Sequence, residues 1–239
     1  MLPGTITVRS RTPEAPVPMT PPDYAWHFTP GAAFTYEDGM TGTLAPVVIG
    51  DVTLPTGRVV ACDPFVYLGQ EEVEPFGVVV EPGRYRAEAA IATLVRPGVP
   101  QGPRPHTRVA AARLVIRDTP TVSWEMAVDE DQDPSVLGED EFYGYGVDAG
   151  TGCFYDAAAD GSFPGTEDEE GAVWAAMDAV GDGPDVFLAE GEGGHTLAGF
   201  TSGWGDGCYP TWIGRDTEGR VTCFVTDFLV VPTALVPAA

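Results

Sequence analysis

Five aspartates at the ends of predicted strands or in glycine-rich turns are the residues of this chain best suited to chemistry. Carboxylate oxygens are the ligands that Mg²⁺ and Ca²⁺ prefer, and a pair of carboxyl groups can serve as general acid and base. In the competing interpretation each aspartate only forms a turn, with its carboxylate bonded to nearby backbone. The five are Asp63, Asp148, Asp156, Asp206 and Asp227, and the first four are the candidates for catalysis.

The stretch "TSGWGDGCYP" places Trp204 and Asp206 between glycines. Closely spaced glycines are typical of phosphate-binding loops, but such a loop needs a helix directly after it. Pro210 and a strand-like run follow here instead, so a nucleotide fingerprint is excluded. Two interpretations remain: a ligand approaches this loop closely, or the chain bends sharply there.

Other motifs for catalysis or metal binding are incomplete. His195 lies a few residues before Ser202 and Cys208, but neither nucleophile stands in the sharp strand-to-helix turn of a hydrolase. Residues 129–140 begin with the acidic spacing of an EF-hand, yet Pro134 occupies the position that requires glycine. No cofactor is predicted, and a divalent cation held by the aspartates stays open.

The charge of the chain is its most unusual property. Thirty-six acids face 12 bases, all arginine, for a formal net charge of −24 over 239 residues. No arginine occurs between Arg117 and Arg215, although more than half of the acids lie there. Such a field repels phosphate groups, so the sequence predicts no binding to nucleic acid or to anionic membranes. It attracts a basic protein, a polyamine or a divalent cation; in the competing interpretation the acidic surface only keeps the protein soluble.

The elements that position these residues are mostly short strands. Frequent glycine and proline predict an α+β protein with largely antiparallel sheets, one main helix near 166–180 and a C-terminal β-hairpin. Thr166 and Glu169 form a capping-box pattern at the predicted start of that helix. In "TRVAAARLVIRD" one face of the alternation is wholly apolar, which places that face against the core.

The domain organisation follows from the prolines and the charge. Residues 1–22 are predicted to form an extended proline-rich arm, and residues 23–239 a single α+β domain, with a further boundary left open within 129–140. The N-terminus has no apolar segment of a signal peptide, and no run reaches 18 apolar residues. We therefore expect a cytoplasmic protein, and its oligomeric state stays open.

Several stretches, taken in order, resemble one family. They are "GRVVACDPF", "VEPGRYRAEAAIA", "RVAAARLVI" followed by "SWEMA", "GYGVDAGTGCFYD", and above all "TSGWGDGCYPTWIGRDTEGRVTCFVTDF". Together they resemble the bacterial domain of unknown function 4241, over roughly residues 57–228. The resemblance implies no activity. The recurring positions of the final motif fall on Ser202, Gly203, Trp204, Asp206, Gly207, Tyr209 and Asp227, and we take these as the candidate binding residues.

Two functions agree with these observations, and the sequence leaves open whether the chain is an enzyme. The first is a non-catalytic acidic module that binds a basic protein, for example to neutralise a toxin. It agrees with the net charge and with the incomplete catalytic motifs. The second is a carboxylate-dependent hydrolase, metal-assisted or not, that uses the aspartates as ligands or as acid and base.

Overall fold

The computed structural model of the chain describes residues 18–70, 73–100, 102–166, 169–181 and 186–236. Most of the predicted N-terminal arm, residues 1–17, lies outside these ranges, and residues 18–22 have no regular secondary structure. The described chain is β-rich, and its paired strands are antiparallel, as predicted. No helix among the described residues is long and apolar enough to cross a membrane. The single-domain assignment of 23–239 stays a prediction.

The larger of two main sheets has seven antiparallel strands. β-bulges between Val48 and Gly50 and between Ala90 and Ile91 interrupt the register of its long strands and bend them. In spatial order the strands are β1 (Ala33–Thr35), β2 (Thr41–Leu54), β4 (Gly83–Val95), β5 (His106–Val115), β13 (Val221–Asp227), β12 (Thr211–Arg215) and β6 (Ser123–Met126).

The second sheet is smaller and packs against the first. It has four antiparallel strands, in the order β3 (Val59–Cys62), β8 (Thr151–Asp156), β10 (Thr196–Thr201) and β9 (Val186–Glu190). A separate two-stranded ribbon pairs β7 (Tyr145–Val147) with β11 (Gly207–Tyr209). This ribbon joins two glycine-rich stretches that are far apart in the sequence.

Three hydrophobic clusters hold these layers together. The largest fills the space between the two sheets and includes Ala110, Ala112 and Leu114 of β5. These residues form the apolar face that the alternation of β5 predicted for the core, so that prediction is confirmed. A second cluster lies between the small sheet and its helices, and a third covers the outer face of the large sheet.

The main helix, α2 (Gly171–Asp178), is shorter than the predicted span 166–180. The capping box does not form: the Thr166 hydroxyl donates to the Phe163 carbonyl at 2.9 Å, and the cap residue Glu170 makes no side-chain cap bond. The chain instead turns sharply at Gly171, where a Cβ would lie 2.2 Å from the Pro164 carbonyl oxygen. This tight turn delays the start of the helix.

Two local structures complete the frame around the candidate residues. A short helix, α1 (Pro64–Tyr67), follows β3 directly. The predicted C-terminal hairpin is confirmed: β12 and β13 pair across a turn in which the Asp216 carboxylate accepts from the backbone N–H groups of Glu218 and Arg220. Short 3-10 helices occupy Pro134–Val136, Ala157–Ser162, Glu192–Gly194 and Thr233–Leu235.

Candidate functional site

Asp63 caps α1 and fastens it to the turn between β7 and β8. Its fully buried carboxylate accepts backbone hydrogen bonds from Phe65 at 3.1 Å, Asp148 at 3.1 Å and Ala149 at 2.7 Å. Burial raises the pKa of Asp63 above its ordinary value; the three backbone donors oppose that rise, and the nearby charge of Asp148 adds to it. The local contacts of Asp63 are those of a capping carboxylate.

Asp156 performs a similar task at the other end of β8. Its carboxylate, also fully buried, accepts from the Thr56 hydroxyl at 2.7 Å and from the backbone N–H groups of Thr56, Gly57 and Ala158 at 2.9–3.0 Å. The three bonds from Thr56 and Gly57 join the end of β8 to the β2–β3 connection, and the bond from Ala158 caps the 3-10 helix that follows β8. Asp63 and Asp156 therefore accept hydrogen bonds at opposite ends of the small sheet.

Asp227 is buried at the end of β13. It accepts from the Tyr24 hydroxyl and from the Leu229 backbone N–H, both at 2.8 Å. Burial raises the pKa of Asp227 to about 6, against the opposing effect of the two donors. Asp227 thus connects the N-terminal segment to the last strand of the large sheet.

Asp148 and Asp206 are exposed, and the two-stranded ribbon brings them close together. In that ribbon Gly207 pairs with Val147, so Asp206 and Asp148 occupy the next cross-strand position. Asp148 also donates its backbone N–H to Asp63, which makes Asp63, Asp148 and Asp206 neighbours at one end of the ribbon. Within the described ranges, however, no three His, Cys, Asp or Glu side chains are arranged to hold a metal ion.

The glycine-spaced loop between β10 and β11 is a hydrogen-bonded turn that presents the side chains of Trp204 and Asp206 to solvent. The backbone N–H of Gly205 donates to the Ser202 carbonyl at 2.9 Å, while the hydroxyls of Ser202 and Tyr209 both donate to the Gly205 carbonyl. Ser202 and Tyr209 are buried, whereas Trp204 is 50% exposed. Among the predicted binding residues, Trp204, Asp206 and Gly207 are therefore those most open to a ligand.

A groove that the sequence did not indicate runs between two segments. One is the segment before β4 (residues 73–79), and the other is the acidic loop after β6 (residues 129–140). The groove consists of two adjoining pockets, of about 200 Å³ and about 240 Å³, that share Glu74, Phe76 and Asp129. The ring of Phe76 stacks on the core residue Phe224 at a centroid distance of 5.7 Å. We call these two pockets the acidic groove, because four acidic residues and one basic residue, Arg58, line them. The acids are Glu74, Asp129, Glu130 and Asp131.

The acidic loop of the groove is recognisable in the sequence as a run of acids, but the sequence does not indicate that the segment around Glu74 lies beside it. The backbone N–H of Gly77 donates to the Val128 carbonyl, and that of Phe76 donates to the Val59 carbonyl, both at 2.9 Å. These bonds bring Glu74 next to residues more than fifty positions later in the chain. Only the tertiary pairing shows that the acids face a groove.

Comparison with known families gives one match. The model of the family described as a protein of unknown function (DUF4241) matches residues 52–226. No curated protein and no solved structure shows significant similarity to the chain. Since the match covers most of the chain, including the four candidate catalytic aspartates and the glycine-spaced turn, the protein belongs to the DUF4241 family.

Proposed function

We propose that this protein is a non-catalytic binding module for a basic protein, for example a basic toxin, and that the acidic groove is where this partner binds. One observation carries the proposal: four acidic residues, against the single basic residue Arg58, line a groove that has an aromatic residue within it. The groove combines the two features that recognise an arginine or lysine side chain. Carboxylates pair with the charged head, and an aromatic surface contacts the apolar stem.

The electrostatics of the whole chain favour such a partner. A net charge of −24 attracts a basic protein over a distance set by the ionic strength, about 8 Å at 0.15 M salt. Close contacts in the groove then select the bound orientation. Association driven in this way is fast at low salt and weakens as salt is added.

Hydrogen bonds within the acidic loop hold its backbone. The Asp129 carboxylate accepts from the Asp131 backbone N–H at 2.9 Å, and the Asp133 carboxylate accepts from that of Ser135 at 2.9 Å. These bonds hold two acids of the groove, Asp129 and Asp131, on one short turn. A preformed loop loses less conformational entropy on binding than a mobile one would.

The alternative function, a carboxylate-dependent hydrolase, has less support. Asp63 and Asp156 are fully buried and accept three and four hydrogen bonds respectively, most of them from backbone N–H groups. Asp148 and Asp206 are exposed on a short ribbon. A catalytic pair needs carboxyl groups that converge on a cleft, and the two pockets of the acidic groove are lined by other acids.

The proposal can be tested with a fluorescein-labelled, arginine-rich peptide, whose binding is followed by fluorescence anisotropy at about 50 mM and about 300 mM salt. One variant neutralises the groove. Its substitutions are Glu74→Gln, Asp129→Asn, Glu130→Gln and Asp131→Asn. A matched control removes the same charge from acids that do not line the groove. Its substitutions are Glu170→Gln, Asp178→Asn, Glu190→Gln and Glu192→Gln.

We expect the groove variant to lose at least about tenfold in affinity at low salt, because several charge-assisted contacts disappear together. The control variant should lose less than about threefold, since it weakens only the distant field. Equal losses in both variants would mean that the peptide senses net charge alone. Binding that does not change with salt, or no binding by the wild type, would also contradict the proposed function.

A further inference from the structure

A cluster of cationic side chains lies at the end of the β4–β5 hairpin. Leu94 of β4 pairs with His106 of β5, and Ala92 pairs with Arg108, so Arg96 and Arg108 lie on either side of His106 along the hairpin, with Arg96 just past the end of β4. Burial is the larger cause that lowers the pKa of His106, and the positive charges of Arg108 and Arg96 lower it further. The net charge of the chain is −24, so a cluster of basic side chains is a local exception to its negative charge.

A cleft opens at this cluster. It has a volume of about 210 Å³, and its lining includes Arg96, Arg104 and His106 together with the apolar Leu94 and Val99. None of the described residues that line it is acidic. Arg96 forms an ion pair with Asp38, but the paired atoms are 4.0 Å apart and both side chains are more than half exposed. Such a pair is weak and leaves the guanidinium able to bind an anion.

The exposed tryptophan of the glycine-spaced turn stands beside the same cluster. The guanidinium carbon of Arg108 lies 5.3 Å from the centroid of the Trp204 ring, and the His106 ring lies 6.3 Å from it. Arg108 donates from Nη1 to the Thr107 carbonyl at 2.7 Å, but its buried Nε has no hydrogen-bond partner among the described residues. The Trp204 ring therefore contacts His106, which lines the cleft, and Arg108, which does not.

We infer that this place is a binding site for a small anionic molecule that carries a planar ring. The anionic group, a phosphate or a carboxylate, pairs with Arg96 and His106 in the cleft, and the ring stacks on Trp204. Arginine is the residue best matched to planar, bidentate recognition of these groups. Over the part of the chain that the structure describes, the site shares no lining residue with the acidic groove, so it stands or falls independently of the proposed function.

The site also explains why the turn is built to expose a tryptophan. Gly203 has a φ of +56°, and a Cβ there would lie 2.8 Å from the Phe228 Cβ, so the turn packs directly on the core. Its hydrogen bonds fix the backbone on both sides of Trp204. An aromatic ring presented by a rigid backbone loses little entropy when a second ring stacks on it.

The test uses four simple probes at about 0.15 M salt, where distant acids are screened. Phenyl phosphate and benzoate carry both a ring and an anion; inorganic phosphate and phenol each carry one of the two. Binding is followed by NMR of the His106 imidazole and the Trp204 indole. We expect phenyl phosphate or benzoate to bind about tenfold more tightly than phosphate or phenol, because each combines the ionic contact with stacking on the Trp204 ring. The pKa of His106 should rise on saturation, since the bound anion offsets the neighbouring arginines.

Variants separate the two halves of the site. Arg96→Gln should weaken both phosphate and phenyl phosphate by about tenfold, as a charge-assisted contact is lost. Trp204→Ala should reduce phenyl phosphate to the affinity of phosphate and leave phosphate unchanged. Arg84→Gln, an exposed arginine at the opposite end of β4, is the matched control and should change neither.

Two results with these probes and variants would contradict the proposed anion site. If both ring-bearing anions bind no better than phosphate or phenol, the site is wrong. Equal losses from Arg84→Gln and Arg96→Gln would show that only overall charge matters, and would overturn it too. When one of the two ring-bearing anions binds and responds to Trp204→Ala, the site is supported, and the tighter of the two identifies the anionic group.

Discussion

The Tyr24 hydroxyl donates a hydrogen bond of 2.8 Å to the buried carboxylate of Asp227, across 203 positions of sequence. Tyr24 belongs to the cluster on the outer face of the large sheet, where it packs edge-on against Trp124. Asp227 is the last residue of β13 and was predicted as a binding residue. The hydrogen bond from Tyr24 gives Asp227 a structural role, because it holds the segment before β1 against the large sheet.

Tyr24→Phe should lower the free energy of unfolding by about 1–3 kcal/mol, because a buried acceptor loses a partner while the aromatic packing stays. Urea denaturation at pH 7 measures this difference. The matched control is Tyr85→Phe, whose hydroxyl donates to the Glu81 carbonyl at the surface. The control should change the free energy by less than about 0.5 kcal/mol. An equal effect in both variants would contradict the importance of the Asp227 contact.

Asp227→Asn should change how stability depends on pH. Because burial raises the pKa of Asp227 in the folded protein from 3.8 to about 6, its neutral form stabilises the fold below pH 4, and this contribution is lost as pH rises through 6. The asparagine imitates the neutral acid at every pH. The variant should therefore gain, relative to wild type, on the order of 3 kcal/mol between pH 4 and pH 7.

Urea denaturation at intervals of one pH unit measures that gain. Asp51→Asn, which alters an exposed carboxylate, is the control and should show a difference that varies by less than about 0.5 kcal/mol over the same range. A difference between Asp227→Asn and wild type that stays constant with pH would mean that the Asp227 carboxyl titrates alike in the folded and unfolded states.

His27→Phe should have the opposite pH signature. His27 is fully buried, neither ring nitrogen has a hydrogen-bond partner within the described chain, and burial lowers its pKa from 6.5 to about 4. The wild type therefore loses stability as pH falls from 6.5 to 4, since only the unfolded chain takes up that proton readily. The phenylalanine variant should remove this loss, which is on the order of 3 kcal/mol.

The two titrations oppose each other, so the wild type should show little net change from these groups between pH 4 and pH 6. Asp227→Asn alone should then expose the acid-destabilising slope of His27, and His27→Phe alone the opposite slope. A double variant should restore a nearly flat profile. Identical pH profiles for the wild type and the His27→Phe variant would contradict the neutral state of His27.

The sequence pattern predicted those secondary-structure elements that depend on residues close together in the chain. The alternation in β5 identified its core face because side chains in a strand point to opposite sides. The final hairpin followed from the turn residues between β12 and β13. The start of α2 was predicted wrongly because the chain at Gly171 forms a tight turn against Pro164 and Gly165, and the capping pattern at Thr166 does not reveal this turn.

The candidate sites depend on contacts between distant segments, so the sequence could only supply their parts. The two glycine-spaced stretches meet where the Ser202 backbone N–H donates to the Gly150 carbonyl at 2.9 Å, and no pattern in either stretch indicates the other. The same holds for Glu74 beside Asp129 in the acidic groove. Trp204 was selected for its glycines, but its neighbour Arg108 lies on a different strand.

Gly203→Ala should lower the free energy of unfolding by about 2–4 kcal/mol. The substitution meets two obstacles: a φ of +56° that disfavours any side chain, and contacts at 2.8 Å from the new Cβ to the Phe228 Cβ and the Val230 Cγ2. The left-handed backbone alone costs about 1 kcal/mol, and the overlap with the core adds about 1–3 kcal/mol. Chemical denaturation measures the total.

Gly219→Ala separates these two contributions. Gly219 has a φ of +74°, but a Cβ at this position would have no described atom within 4 Å, so the substitution bears only the backbone cost. The excess loss at Gly203 over Gly219 therefore reports how tightly the turn that presents Trp204 is packed on the core. If the two variants lose the same free energy of unfolding, the turn can move away from Phe228, and the turn then does not hold Trp204 rigidly for stacking.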